Sequence, residues 1–240
     1  METLNSNIFH VLIVDDNPEI REIIQILLSN EGYQVTEAED GASALIQLSK
    51  RSFDLIILDI MMPGLNGYQT CLEIRRLTNA PILFLSACTK DSDKMLGFSS
   101  GGDDYLSKPF SYSELTLRAK ALIRRYHIYQ GSDIPGQAAA APVLHFHGLE
   151  INTEAGHVYR NGEVLELTAT EYAMLKLLVT NRHQVFSAER LYESIWEEPY
   201  YYGANNTVMV HIRNLRSKIE KDPKNPVLIK TIWGRGYRCD

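Results

Sequence analysis

Short apolar runs alternate with amphipathic stretches through the first half of the chain. The runs His10–Val14, Gln34–Glu37, Leu55–Leu58, Pro81–Leu85 and Tyr105–Ser107 each read as a strand. Between the first two, Ile20, Ile23, Ile24, Leu27 and Leu28 recur at helical spacing on one face. Asn17 is placed to cap that helix, with Pro18 at its first position. Ser111 and Glu114 have the capping-box spacing ahead of a helix that runs to about Arg125. Five strand–helix units in succession predict a parallel sheet covered by helices on both faces.

From Tyr126 to Pro142 the periodicity stops, and a Gly-Ser-Asp-Ile-Pro-Gly-Gln run followed by four alanines reads as a linker. The second half has another rhythm. Short alternating segments around Leu144–Phe146, Leu149–Asn152 and His157–Arg160 predict antiparallel strands, with Asn161-Gly162 as a two-residue hairpin turn. Thr168 and Glu171 form a capping box before an apolar run holding Met174, Leu175 and Leu178. A second helix is predicted from near Ser187 and a third from about Asn205 to Glu220. Leu228 to Tyr237 reads as two strands joined at Gly234-Arg235-Gly236. The expected organisation is therefore a first domain over 1–125, a linker over 126–142 and a second domain over 143–240.

Composition adds three constraints. A hydrophobic content of 45% and a charged content of 22% exclude a disordered chain. Cys71, Cys88 and Cys239 are scattered and lack metal-ligand spacing, which fits a reducing compartment. The first ten residues have no basic start and no long apolar run, so neither a signal peptide nor a membrane span is expected, and the location expected is cytoplasmic. The net charge of -6 argues against a nucleic-acid partner until its distribution is examined. From Asn205 to Arg238 eight basic residues face only Glu220 and Asp222, a local basic patch of the kind that binds DNA.

The polar residues of the first half fall at strand ends: Asp15 and Asp16 after the first strand, Asp59 after the third, Ser86 after the fourth and Lys108 after the fifth. In an open parallel sheet the carboxyl ends of the strands meet at one edge, so these five residues are expected to converge. Three carboxylates in a small space call for a cation, and an all-oxygen donor set suits Mg2+. A carboxylate held rigidly beside a metal and a lysine is suited to attack phosphorus, the two cations neutralising the transferred group while the Ser86 hydroxyl donates to it. Each residue alone reads equally well as a turn or cap; their joint placement carries the inference.

Val11-Leu12-Ile13-Val14-Asp15-Asp16, Leu58-Asp59-Ile60-Met61-Met62-Pro63-Gly64 and Gly102-Asp103-Asp104-Tyr105-Leu106-Ser107-Lys108-Pro109-Phe110 resemble the receiver domain of bacterial response regulators over residues of about 8–125. The resemblance implies a flavodoxin-like α/β fold with strand order 2-1-3-4-5. It also implies Asp59 as phosphoacceptor, Asp15 and Asp16 as Mg2+ ligands together with Asp59 and the Met61 carbonyl, and Ser86 and Tyr105 as the switch pair, with Lys108 in the matching motif as the cation that neutralises the transferred group. The implied phosphoryl donor is a sensor histidine kinase. A homodimer forms in this family through the helix before the fifth strand, that strand, and the helix after it. Matching positions here are Lys94 with Glu114 and Asp104 with Arg118.

On the third helix of the second half, Val208, Ile212, Leu215 and Ile219 mark a buried stripe, which leaves Val210, Arg213, Asn214, Ser217 and Lys221 on the expected groove face. His211, Arg216 and Lys218 flank it and are expected at phosphates. Thr168 to Tyr172, Thr207 to Lys218 and Ile232 to Arg238 resemble the winged helix-turn-helix α+β domain of the OmpR/PhoB family, leaning toward the vancomycin-resistance regulator-like branch. That implies double-stranded DNA as partner, a recognition helix in the major groove and a wing with Arg235 at its tip in the minor groove. Many relatives have arginine where Asn214 and Trp233 stand, so base preference and wing contacts do not carry over. The aromatic stretch Trp196 to Tyr202 is read as core at Trp196, and the resemblance implies a loop there that faces RNA polymerase.

The sequence thus reads as a non-enzymatic, phosphorylation-controlled transcription regulator. Two alternatives stand beside it. A transcription factor with a vestigial receiver keeps both domains. An Mg2+-dependent aspartyl-phosphate phosphatase would want an acid two residues after Asp59, where Met61 stands.

Overall fold

The computed structural model describes residues 8–86, 101–129, 143–153, 156–200 and 204–240. These fall into two compact units.

The first unit is built on five parallel strands: β1 (His10–Val14), β2 (Gln34–Ala38), β3 (Leu55–Asp59), β4 (Ile82–Ser86) and β5 (Asp104–Ser107), in the order 2-1-3-4-5. Among the described residues four helices accompany them: α1 (Pro18–Asn30), α2 (Gly41–Lys50), α3 (Gly67–Ile74) and α4 (Tyr112–Tyr129). The strand pattern explains why the sheet is covered twice. Val11, Ile13, Leu55, Ile57, Leu83 and Leu85 point to one face and pack with Ile24, Leu28, Leu115 and Ala119 of α1 and α4. Leu12, Ile56, Leu58 and Phe84 point to the other and are equally buried, on the side of α2 and α3.

Local signals start the helices as expected. Asn17 Oδ1 accepts from the Glu19 and Ile20 amides, and Pro18 follows. The Ser111 hydroxyl accepts from the Glu114 amide at 3.2 Å, and α4 continues to Tyr129, past the expected end near Arg125. One part of the predicted apolar stripe of α1 departs from expectation: Ile24 and Leu28 are buried, but Ile23 is exposed. Positions 24 and 28 lie one turn apart over the sheet, and 23 is rotated off that line.

The second unit opens with the antiparallel sheet β6 (Val143–Phe146), β7 (Leu149–Asn152), β8 (Val158–Arg160) and β9 (Glu163–Val164). Asn161 and Gly162 have φ of 52° and 82°, the left-handed pair that a tight hairpin between β8 and β9 requires. Then come α5 (Ala169–Thr180), α6 (Ala188–Trp196), α7 (Ala204–Ile219) and the hairpin β10 (Ile229–Ile232) with β11 (Gly236–Cys239). The Thr168–Glu171 capping box forms in both directions. Met174, Leu175, Leu178, Leu191, Val208, Ile212 and Leu215 form the common core of the three helices. Trp196 belongs to it, stacked on Tyr192 at 5.0 Å between centroids, and Tyr200 packs at its edge. This is a winged helix-turn-helix arrangement. Among the described residues no helix is long and apolar enough to cross a membrane.

Candidate functional site

The carboxyl edge of the first sheet brings together residues that the sequence keeps far apart. Asp15 and Asp59 are buried, Asp16 is exposed, and one carboxylate oxygen from each lies within 4.8 Å of the others. Lys108 reaches in from the end of β5, its Nζ 2.7 Å from Asp15 Oδ2 and 3.1 Å from Asp59 Oδ1. Ser86 closes β4 and is fully buried; its carbonyl accepts the Lys108 amide at 2.6 Å, which ties the lysine backbone to the neighbouring strand. Burial pushes the Asp59 carboxyl above its ordinary range, against the pull of the Lys108 ammonium. Burial works the other way on Lys108, but its contacts with Asp15 and Asp59 prevail and hold its ammonium above the usual lysine value.

The donor set fits a hard divalent cation. It offers carboxylate oxygens alone, with one member open to solvent so that a metal can keep some of its water. Bound there, Mg2+ would supply charge neutralisation to a transferred phosphoryl group. Met61 lies two residues past Asp59 with its side chain exposed.

Three supporting residues were missed in the sequence. Arg21 donates from Nη1 to the Asp15 carbonyl at 2.7 Å and from Nε to Glu37 at 3.0 Å, pinning the turn after β1. Gly67 lets α3 approach β3: a Cβ there would stand 2.3 Å from the Asp59 carbonyl oxygen. Arg75 bonds the Asp103 carboxylate at 2.6 Å and the Gly101 and Ala80 carbonyls, fixing the entry to β5. The Asn66-Gly67 dipeptide was the visible signal for the second. The two arginines carry none, because their partners are carbonyls and acids brought close only by folding.

Tyr105 is buried, its ring 5.8 Å from Phe84 and its hydroxyl 3.3 Å from that of Tyr68. Of the expected dimer pairs, Lys94 lies outside the described residues. Asp104 and Arg118 bond each other within the chain at 3.0 Å, and Glu114 reaches the same arginine at 3.4 Å.

On α7 the predicted buried stripe is correct, but the groove face needs correction. Val210 and His211 are buried, because α5 and α6 both pack on this helix and widen its covered arc. Arg216 is held inside the domain, donating to the Ile229 carbonyl at 2.7 Å and to Thr231 with its guanidinium over the Tyr237 ring. Lys218 is likewise bound, its Nζ 2.7 Å from the buried Glu171 carboxylate and 2.9 Å from the Glu166 carbonyl. Both side chains thus have partners inside their own domain, which the sequence did not show. The exposed strip is instead Asn205, Met209, Arg213 and Ser217, spaced by four, with Asn214 partly open beside it and Lys221 exposed just past the helix end. Arg235 is exposed in the turn between β10 and β11.

Comparison with known proteins agrees with both halves. A family model described as "Response regulator receiver domain" matches residues 11–120, and one described as "Transcriptional regulatory protein, C terminal" matches 162–239. The chain is 48% identical over 230 residues to an uncharacterised transcriptional regulatory protein, YrkP, of Bacillus subtilis, covering 96% of this chain and 97% of that one. It is 40% identical to the regulatory protein VanR of Enterococcus faecium, covering 96% and 98%. Among solved structures it matches the response regulator DrrB, an OmpR/PhoB homologue from Thermotoga maritima, with 28% identity and a TM-score of 0.50 over 97% of this chain and 99% of that one.

Proposed function

The chain belongs to the OmpR/PhoB-type response regulators, and on that premise we propose that a sensor histidine kinase phosphorylates it on Asp59 and that the phosphorylated form dimerises on promoter DNA. Its relatives are transcriptional regulators and it carries a receiver and a DNA-binding domain. The acidic cluster of Asp15, Asp16 and Asp59 with Lys108 against it is the observation that supports the finer reading.

In the proposed reaction an Asp59 carboxylate oxygen attacks the phosphorus of a phosphohistidine, an O–P bond forms, the P–N bond breaks and the imidazole leaves with the electron pair. Lys108 is held where it can pair with the arriving phosphoryl oxygens. The Ser86 hydroxyl donates to the same group. Asp15 and Asp16, with Asp59 and the Met61 carbonyl, would hold Mg2+. Dimerisation requires Arg118 to exchange Asp104 of its own chain for a partner's, which favours register over affinity because such pairs trade like for like. Two winged helices then meet two half-sites and gain by avidity. The same reading places the protein in the cytoplasm, with RNA polymerase as a further partner.

The test is incubation with acetyl phosphate and Mg2+, followed by intact mass and sedimentation. One phosphoryl adduct that is lost in Asp59→Ala, with dimer formation only in the modified protein, is the expected result. An unmodified protein that nevertheless selects specific DNA from a random pool would favour the vestigial receiver instead.

A further inference from the structure

The hairpin of β10 and β11 ends in an indole that its own domain leaves bare. Trp233 is 91% exposed, whereas Trp196, the other tryptophan of the chain, is buried. A single exposed apolar side chain on a loose loop needs no explanation, but this one is mounted rigidly. Ile232 and Gly236 form the last ladder pair, and the Ile232 carbonyl accepts the Arg235 amide at 2.9 Å, closing a tight turn around Trp233 and Gly234. Gly234 sits at φ +69°, the left-handed conformation this turn requires. Below the turn, Phe186 and Tyr237 exchange two backbone hydrogen bonds of 2.9 Å, and the hairpin approaches so closely that a Cβ on Gly236 would stand 1.9 Å from the Phe186 carbonyl oxygen. The apex is thus fixed to the segment that opens α6.

The surroundings narrow the occupant. Lys230 and Arg238 pair with Asp240 at the base of the hairpin, whereas Arg235, at the turn, is exposed two positions from the indole with no acidic residue between Asp222 and Asp240 in the sequence. A flat apolar ring beside a free-standing cation matches a surface whose walls are anionic and whose floor is apolar. The minor groove of duplex DNA has this character, with sugars and base edges between two phosphate rows.

We propose that Trp233 acts as a wedge in the minor groove, its ring covering one base step and partly opening it while Arg235 pairs with an adjacent phosphate. The duplex bends at that step. Selectivity then arises from how readily the step deforms, so a pyrimidine–purine step is preferred there without a hydrogen bond to any base. The inference rests on the DNA-binding reading of this domain and adds a shape-reading element to it.

The experiment uses the full chain treated with acetyl phosphate and Mg2+, and a duplex recovered by selection from a random pool. Acrylamide quenching of tryptophan emission reports the indole, with Trp233→Phe giving the Trp196 background, and energy transfer between the duplex ends reports the bend. Binding is expected to shield Trp233 several-fold. Trp233→Ala and Trp233→Arg should straighten the duplex and weaken binding by roughly tenfold, while Trp233→Phe keeps most of the bend. Replacing the flexible step by a stiff purine run should cost the wild type but not Trp233→Ala. An indole that stays open to acrylamide on saturating duplex overturns the wedge and leaves DNA binding intact, as does an equal bend with Trp233→Ala. Shielding that rises with protein concentration in the absence of DNA assigns the ring to a second copy and also overturns it. Failure of the wild type to retain any duplex, with Arg213→Ala indistinguishable from it, removes the DNA reading and the wedge together.

Discussion

Lys108 Nζ lies 2.7 Å from Asp15 Oδ2, joining residues 93 positions apart at the ends of β5 and β1. The ammonium sits between two buried carboxylates and is the only one of the three groups that relieves their repulsion. Lys108→Ala is therefore expected to destabilise the first domain by about 1–3 kcal/mol, less than a fully buried pair because the lysine is 20% exposed. Mg2+ should restore part of that loss, since it binds the folded state alone. Thermal unfolding with and without Mg2+ measures both effects; an unchanged midpoint in chelator would contradict the structure.

The Asp59 carboxyl is raised above its ordinary value of 3.8 by burial. A carboxyl whose folded pKa exceeds its unfolded one is more costly to ionise in the fold. In metal-free protein this group therefore lowers stability above its folded pKa. The cost shrinks as pH falls through that value and is gone below 3.8. Asp59→Asn should stabilise the metal-free protein at neutral pH by a few degrees, and the difference from wild type should close as the pH falls. Urea midpoints across that range test it; a gap that widens toward acid would reverse the sign.

Gly67→Ala places a Cβ 2.3 Å from the Asp59 carbonyl oxygen, an atom of the backbone that cannot swing away. Relief requires α3 or the end of β3 to move. A loss of about 1–3 kcal/mol is expected, together with slower phosphorylation by acetyl phosphate, because the phosphoacceptor shifts with its backbone. Normal stability with normal phosphorylation would mean that α3 is free to slide.

Two cations five positions apart on α7 should behave differently. Arg213 is exposed, and Arg213→Ala should cost roughly tenfold or more in affinity for selected DNA while leaving the unfolding midpoint unchanged. Lys218 neutralises Glu171, a buried carboxylate in the capping box of α5, so Lys218→Ala should lower the midpoint of the second domain. Equal effects of the two substitutions on both readouts would show that the exposed strip of α7 has been misassigned.

Much of the acidic site was legible because its logic is topological. Short apolar runs fix five parallel strands, parallel strands put their carboxyl ends on one edge, and Asp15, Asp16, Asp59, Ser86 and Lys108 each end or follow a strand. The DNA face was less legible, for a reason visible in Val210 and His211. Helical spacing locates the centre of a buried stripe but not its width, which depends on how many neighbours flank the helix. Met209 therefore occupies the exposed position that Val210 was expected to hold.

The chain's own pattern determined which residues are strand and helix, where the helices start and which carboxylates share an edge, because those follow from local periodicity, capping and the geometry of a parallel sheet. Only tertiary structure decided which charges remain available. Arg216 and Lys218 read from sequence as phosphate contacts, yet one is bound to the Ile229 carbonyl and the other to the Glu171 carboxylate. Arg118 likewise bonds Asp104 of its own chain. A charged side chain goes to whichever partner folding brings within reach, and no spacing along the chain encodes a partner 13 or 47 positions away.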